Sequence, residues 1–485
     1  MIAKKYTTQE KKPRRLQAAR GYFILLVLVF SGIFMLLIAS LTGFIFVQQK
    51  VSLAKDNQEK ALHIAEAGLE YYRWHLAHFS SDLKDGTNGN GPYVHTYTDP
   101  EGGTLGQYSL AISGTTQCGA LTSIAITSTG TVTNVPQYPR VLYATYAQPS
   151  VADYAYIINS NVWAGADRVI SGKYKSNGGV RMDGTTNSTV SSAVATWLCT
   201  SSFGCASSQT VPGVYNATAT SSLWKYPVPP VDFNAISVNL ADLETKAKAS
   251  GVYVAPSNAH GYHVVFKNNG SIDVYKVTST TQVWGYTTEN GEQLENNVIA
   301  AQTFVANYAI PSSCSVIFVE DKVWLDGVVK GHVTLAAADV DTANVDPSVI
   351  LNDNITYNTG VGTDGVTVIG EQDVLIGLQT PDSMTLNGIF IAQKGRFGRN
   401  HYDTSGSYGL PSALDPYVFR TQLTVNGTIV SYGREGTKWT SNGTWVSGYG
   451  LRINNYDRQL AANPPPFTPY TSSTFTFTKW LDNSN

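Results

Sequence analysis

The chain has 485 residues, of which only 14% are charged, and a formal net charge of −2. That balance gives no electrostatic case for nucleic-acid binding. With 43 Gly, 28 Tyr and abundant Thr, Ser and Asn, it favours β-rich extracytoplasmic architecture over a charged cytoplasmic enzyme, in a chain long enough for more than one domain.

The N-terminus carries Lys4, Lys5, Lys11, Lys12, Arg14, Arg15 and Arg20, then an uncharged run from Tyr22 to Val47. At about 1.5 Å per residue, its roughly 26 residues make a helix of about 39 Å, enough to cross a hydrocarbon core of about 30 Å with tilt. The basic residues place the N-terminus in the cytoplasm. A secretory signal fits less well, because its apolar region would be about 7–15 residues and end at a small-residue cleavage site. From Gln48 onward Val51, Leu53, Ala54, Ala61, Leu62, Ile64, Ala65, Leu69, Tyr72 and Leu76 recur at helical spacing between charged residues, and no Pro interrupts Tyr22 to Ser80. The pattern predicts one helix over 22–80, apolar first and amphipathic second, about 87 Å long.

The basic leader ending in Gly21, the apolar helix directly after it and the amphipathic continuation resemble the class III signal of type IV pilins and type II secretion pseudopilins. Within the helix, Lys60 to Glu70, including Ala65, Glu66, Ala67 and Gly68, is similar to the A-x-x-A-A-E-A-G-L signature of PilX-type minor pilins. The resemblance implies cleavage after Gly21 by a prepilin peptidase and N-methylation of Tyr22. It also implies a single pass through the inner membrane and assembly with other major and minor pilins into a surface filament. Most pilins carry Glu at the fifth residue after the cleavage site, where this chain has Leu26. That departure resembles the large tip pseudopilin of type II secretion, which has no subunit above it to pair with such a carboxylate. An unprocessed single-pass anchor is the alternative.

Ser80 to Gly91 reads as a loop, and Gln107–Ser113, Ser123–Thr133 and Arg140–Gln148 as strands of a small antiparallel sheet. The helix face bearing Leu62, Ala65, Leu69 and Tyr72 needs such a partner. Beyond Pro149, short apolar pulses alternate with Gly, Asn and Asp, as in Asn161–Gly165, Asp167–Gly172, Gly179–Gly184 and Lys322–Leu335. They continue at Val366–Ile369, Val374–Ile376, Leu386–Ala392 and Leu423–Val430. This texture predicts a parallel β-solenoid, with a large β-sandwich as the alternative. Between its parts, Pro227, Pro229 and Pro230 mark a connector, Asn239–Ser250 a capped helix, and Tyr262–Phe266 with Ser271–Val277 a hairpin turning at Asn269-Gly270.

The fold class expected is therefore mainly β with a long N-terminal helix and a small antiparallel sheet, followed by a β-solenoid head carrying an α+β insertion. The divisions are 1–21 leader, 22–80 transmembrane and filament helix, 81–150 sheet, 151–198 first solenoid part, 199–310 insertion, 311–460 main solenoid part and 461–485 Pro-rich tail. In the tail, Pro464 to Pro466 read as an extended segment, and Thr474–Trp480 alternates so that it could cap or pair with a strand edge. The ending Tyr456-Asp457…Asn463-Pro464-Pro465-Pro466 adds a weaker resemblance to large PilX-like proteins.

Cys199 and Cys205 bracket a small loop and form a candidate disulfide in an exported protein; Cys118 and Cys314 remain, and four cysteines allow three full pairings. No catalytic constellation, cofactor motif or metal-ligand set emerges, so an enzyme is not expected. Glu320, Asp321 and Asp326 could serve as acid and base but suit solenoid turns. Asp339, Asp341 and Asp346 lack the spacing of a Ca²⁺ loop, and His260, His263 and His332 have no matching ligands. Gly395 to Tyr402, with Arg396 and Arg399, could meet an anionic glycan, although a solvated loop explains it as well. Trp439, Trp445 and Tyr449, near Tyr432 and Tyr456, form the candidate surface-binding patch for a glycan or another surface ligand, with burial inside the solenoid as the alternative.

The function expected is a tip-located minor pilus or pseudopilus subunit involved in filament assembly and adhesion. The alternative is a membrane-tethered β-helix protein that binds or cleaves polysaccharide.

Overall fold

In the computed structural model, which describes residues 19–79, 82–133, 135–340, 347–472 and 474–482, the N-terminal pattern becomes a single helix, α1, Ala19–His78. The basic residues of the leader up to position 15 lie outside the described residues. All residues from Tyr22 to Val47 are exposed, and the stretch Tyr22–His78 is long and apolar enough to cross a membrane. The hydroxyls of Ser31 and Thr42 donate one turn back, to Val27 O at 2.6 Å and Ile38 O at 2.7 Å, so neither needs water.

In the second half of α1, Ala61, Ile64, Ala65, Leu69, Tyr72 and Leu76 are buried, spaced three or four apart and hence on one face. They pack on an antiparallel sheet of β1 (Tyr93–Thr98), β2 (Thr104–Gln117), β3 (Ala120–Val132) and β4 (Arg140–Ala147). The sheet offers Tyr108, Leu110, Ile124, Ile126, Leu142 and Tyr146. Helix and sheet meet at backbone distance: a Cβ on Gly130 would lie 2.1 Å from Ala61 O and 2.5 Å from Ala65 N, and one on Gly68 2.4 Å from Ser128 Oγ. Ala65 and Gly68 are buried in this seam, whereas Glu66 is only partly covered and meets His63 at 3.0 Å. Leu62 sits at the rim.

The sheet has a fifth strand. Thr476–Asp482 pairs antiparallel with β4, and Phe475 and Phe477 stack beside Tyr146. The alternating run near the end of the chain pairs with a strand edge as its pattern suggested, covering one that β4 would otherwise expose.

In the head, strands stack in parallel from one coil of chain to the next. One inner row runs Val252, Ile317, Leu335, Val368, Phe390, Ile429, Tyr156, Tyr174, Val190, Trp224, each residue in register with the next. A second runs Val264, Leu325, Leu351, Ile376. Each fully buried Val, Leu, Ile or Phe contributes about 1.5–3 kcal/mol, so the rows supply the head's cohesion. Stacked corners reinforce them: Asn426 Nδ2 donates to Asn387 Oδ1 and Asn455 Nδ2 to Asn426 Oδ1, both at 2.8 Å. The adjoining Gly388 and Gly427 have φ of 141° and 139°, and a Cβ on Gly427 would lie 2.0 Å from Gly388 O. A sandwich of antiparallel sheets would not give this pairing.

The spatial order of the rows differs from the chain order. The chain enters the head in its middle, at Tyr156, and stacks outward to Trp224. It then crosses back along the proline connector and α2, Leu240–Ser250, to start again at the far end with Val252. Asn239 caps α2, its side chain accepting from Asp242 N. From there the chain stacks inward until Ile429 meets Tyr156. The segment 199–310 is accordingly not an excursion docked on the stack. Val252–Val254 and Tyr262–Lys267 are rungs of it, because their alternating apolar residues continue the inner rows.

Entry and exit lie side by side: Val151 N donates to Pro469 O at 2.9 Å and Thr471 N to Pro149 O at 2.8 Å. Two disulfides are present, Cys118–Cys314 and Cys199–Cys205. The first ties the β2–β3 turn to the head, beside Gln117, whose amide donates to Ser312 O and accepts from Ser315 N, each at 3.2 Å.

Gly130→Val should push α1 off the sheet at a cost on the order of 1–3 kcal/mol or more. It should raise amide exchange across residues 61–76, whereas Gly89→Ala, whose new Cβ would meet only Thr87 Oγ1 at 3.8 Å, should leave exchange unchanged.

Candidate ligand-binding cleft

Three segments far apart in the chain converge on one face of the head. The first is the tip of a long antiparallel hairpin, Ser271–Thr287 with Gly291–Ala309, which lies back over the stack. Its Tyr286 exchanges backbone hydrogen bonds with His401 at 2.9 and 3.0 Å. The second is the loop closed by Cys199–Cys205, where Ser201–Phe203 form a single 3₁₀ turn. The third is the stretch from Arg434 to Gly443, including Trp439, whose indole donates to Arg399 O at 2.8 Å. Between them lies a cleft of about 590 Å³ lined also by Trp163, Asp167, Arg396 and Arg452.

Seven of the eighteen lining residues are charged, in a chain of which only 14% is. Beneath the floor, Arg168 makes two 2.6 Å bonds to the Glu435 carboxylate, and both side chains are 1% exposed. Burial alone would lower the Arg168 pKa, but Glu435 beside it holds the guanidinium charged and the net shift is upward. Asp167 accepts from Arg452 at 2.7 and 3.0 Å and faces Lys438 at 3.5 Å. Burial raises its pKa, and Arg452 and Lys438 together take it below the usual carboxylate range.

Arg434 and Arg396 differ from these. Arg434 donates to Ser202 O at 2.6 Å and lies 4.3 Å over the Phe203 ring; Arg396 donates to Asn400. Among the described residues neither guanidinium has a carboxylate within ion-pair distance. Burial pulls the Arg434 pKa down. The aromatic lining is made by Tyr286 and Trp439, edge to face at 5.6 Å, and by Trp163, its indole donating to Asp183 at 2.8 Å.

The aromatic patch read from the sequence splits. Trp439 lines the cleft. Trp445 does not; it is 36% exposed, packs edge-on against Phe419 at 5.1 Å and donates to Ser447 O at 3.0 Å. Tyr449 is no surface residue at all: it is fully buried, with its hydroxyl 3.0 Å from Thr380 Oγ1. Positions 445 and 449 are four apart and would share a face of a regular strand, but Gly448 between them, at φ 85°, breaks the alternation. The basic loop divides the same way. Arg396 reaches the cleft, but Arg399 is fully buried and donates to Leu378 O at 3.2 Å and Tyr417 O at 2.6 Å.

The other candidates are committed to the fold. Glu320 accepts from the Tyr253 hydroxyl, and Asp321 accepts from Ser257 N at 2.8 Å. Asp326 meets His263 at 2.8 Å. Asp341 and Asp346 lie outside the described residues, and among those described no group of three His, Cys, Asp or Glu is placed to hold a metal. Sequence reasoning missed Asp167, Arg168, Tyr286, Arg434, Glu435 and Arg452. Asp167-Arg168 and Arg434-Glu435 are adjacent opposite charges in a charge-poor chain, and that was the available signal. In the neighbouring cavity, burial raises the Glu295 pKa, but Asn400, Asn297 and Tyr402 all donate to its carboxylate, so it serves the hairpin's seat.

No protein-family model matches the chain, and no curated protein matches it. Among solved structures it is similar to the competence-associated pilin ComZ from Thermus thermophilus, at 11% identity and a TM-score of 0.30, over 88% of this chain and 97% of that one. A TM-score of that size does not establish a shared fold.

Glu435→Gln should strand the Arg168 charge in the interior and cost about 3–5 kcal/mol, read as a lower denaturation midpoint by intrinsic fluorescence. His263 gives a pH prediction. Burial pulls its imidazole pKa down, but the hydrogen bond and charge of Asp326, with Gln302, leave it raised above 6.5. The ion pair's contribution is therefore complete below pH 6.5 and fades as pH rises through the folded value. Amide exchange in strands Tyr262–Lys267 and Val323–Val329 should accelerate over that rise beyond the intrinsic pH effect, and Asp326→Asn should abolish the excess.

Proposed function

We propose that this protein is a minor, tip-located subunit of a type IV pilus or pseudopilus, of PilX-like type, that carries a β-solenoid head outside the cell. The observation that carries the reading is the division of α1: a wholly exposed apolar half, and a second half whose buried face is seated on an antiparallel sheet. An apolar helix of that length is costly in water and needs a membrane or a bundle of like helices around it. On this reading the chain enters the inner membrane with its N-terminus in the cytoplasm. A prepilin peptidase cuts after Gly21, and the new N-terminus at Tyr22 joins other major and minor pilins at the cell surface.

Two features favour the tip over the shaft. The portion beyond α1 is about 400 residues, several times the ~100–150 of a common domain, and would crowd a helical array of subunits. Leu26 supplies no carboxylate for the amine of a neighbour above. The head then initiates assembly or makes contact with a glycan or another surface ligand, without catalysis and without a cofactor.

The second reading, a tethered β-helix protein that handles polysaccharide and never enters a filament, is favoured by the aromatic, charged cleft. Processing separates the two. Intact-mass analysis of membrane-extracted protein, expressed with and without a prepilin peptidase, should give a mature start at N-methylated Tyr22 only with the peptidase. A start at Met1 or Ile2, with the peptidase active on a control pilin, would overturn the pilin reading.

A further inference from the structure

We infer that the cleft between the hairpin tip, the Cys199–Cys205 loop and the Arg434–Gly443 stretch binds a saccharide bearing a carboxylate. The inference deepens the reading of the head as the contact-making part, and does not depend on whether α1 enters a filament.

Not every cation in the cleft is matched by an anion. Arg168 and Arg452 are matched by Glu435 and Asp167, and Lys438 also faces Asp167. Arg434 and Arg396 line the same space with no carboxylate within ion-pair distance among the described residues, and the charges of Glu289 and Glu435 act on Arg434 only from farther off. A guanidinium held against one carbonyl and one ring, as Arg434 is against Ser202 O and Phe203, keeps further N–H donors for a planar anion, and a carboxylate takes two in parallel. Burial that already pulls on the Arg434 charge makes an incoming anion more welcome than water alone would.

The rest of the cleft does not suit a bare inorganic anion. Tyr286, Trp439 and Trp163 expose ring surface to it, which a sugar's C–H face covers well. Glu289 at the hairpin tip and Asp167 offer acceptors for hydroxyl donors. A polyphosphate carries several charges for which, of the cleft's cations, only Arg434 and Arg396 are free of an ion pair among the described residues, whereas a single carboxylate needs one guanidinium. The cleft volume, about 590 Å³, lies within the ~300–1,000 Å³ of small-ligand sites.

The wall is also prepared in advance. Ser202 belongs to the loop that Cys199–Cys205 closes, and that loop is where Arg434 docks. Opening the disulfide should loosen Arg434 while leaving the stacked rows intact.

The test uses the full chain in detergent, with no pilin system present. The panel is trigalacturonate, sialyllactose and a hyaluronate tetrasaccharide, each beside its methyl ester, together with a single-stranded oligodeoxythymidylate. At least one acid should bind saturably by calorimetry, its ester at least about tenfold more weakly, and Arg434→Gln should lose about tenfold or more for the acid alone. Unchanged circular dichroism would confirm the variant's fold. No binding by any acid, equal binding of acid and ester, or tighter binding of the oligonucleotide would each overturn the inference. The acid–ester comparison needs no variant, so it stands even if Arg434→Gln fails to fold. Because processing of the N-terminus is scored separately, either conclusion can fail alone.

Discussion

The head depends on one seam, the in-register stacking of Ile429 on Tyr156. The strand Phe419–Ser431 is paired on one side to Ser383–Ala392 and on the other to both Thr444–Asn455 and Tyr156–Ile158. It joins two arms that run outward from the middle. Parallel stacking tolerates this because a rung recognises the shape and backbone of its neighbour, not its place in the chain. Had the arms not met there, each would present an open edge at the point where the head joins its stalk.

How much of this was legible follows the distance over which each signal acts. The helix needed only local periodicity and was read to within a few residues of Ala19–His78. So were β2 to β4, the α2 cap at Asn239 and the Asn269-Gly270 hairpin turn. The order of the rungs was not, because every pulse of Val, Ile and Leu looks equally able to stack on any other, and nothing local says that residue 156 follows residue 429 in space. The fifth strand was visible as an alternating run, but its partner lay more than three hundred residues earlier. The patch around Trp439 shows the same limit at short range. A window sees Trp439, Trp445 and Tyr449 as neighbours, yet a turn between two strands and the break at Gly448 send one to the cleft, one to the rim and one to the core.

The cleft illustrates how a charge-poor protein can still build a polar site. Its charges come as opposite neighbours in sequence, Asp167-Arg168 and Arg434-Glu435, and the fold exchanges their partners. Arg168 takes Glu435 and Asp167 takes Arg452. Arg434 is left over as a consequence of that exchange. The buried pair under the floor is costly to desolvate and adds little net stability, but it holds the segments at residues 168 and 435 in one arrangement.

The clasp at the base of the head sets how a mechanical load would travel. Chain crosses from stalk to head at Pro149–Val151 and returns at Pro469–Thr471, and the Cys118–Cys314 cystine makes a third crossing. Tension on the head is thus divided between two backbone strands, each continuous with the sheet that grips α1, and one covalent side link. Peeling at one crossing leaves the other two engaged. A pull at the far face of the head would reach α1 through these three crossings together.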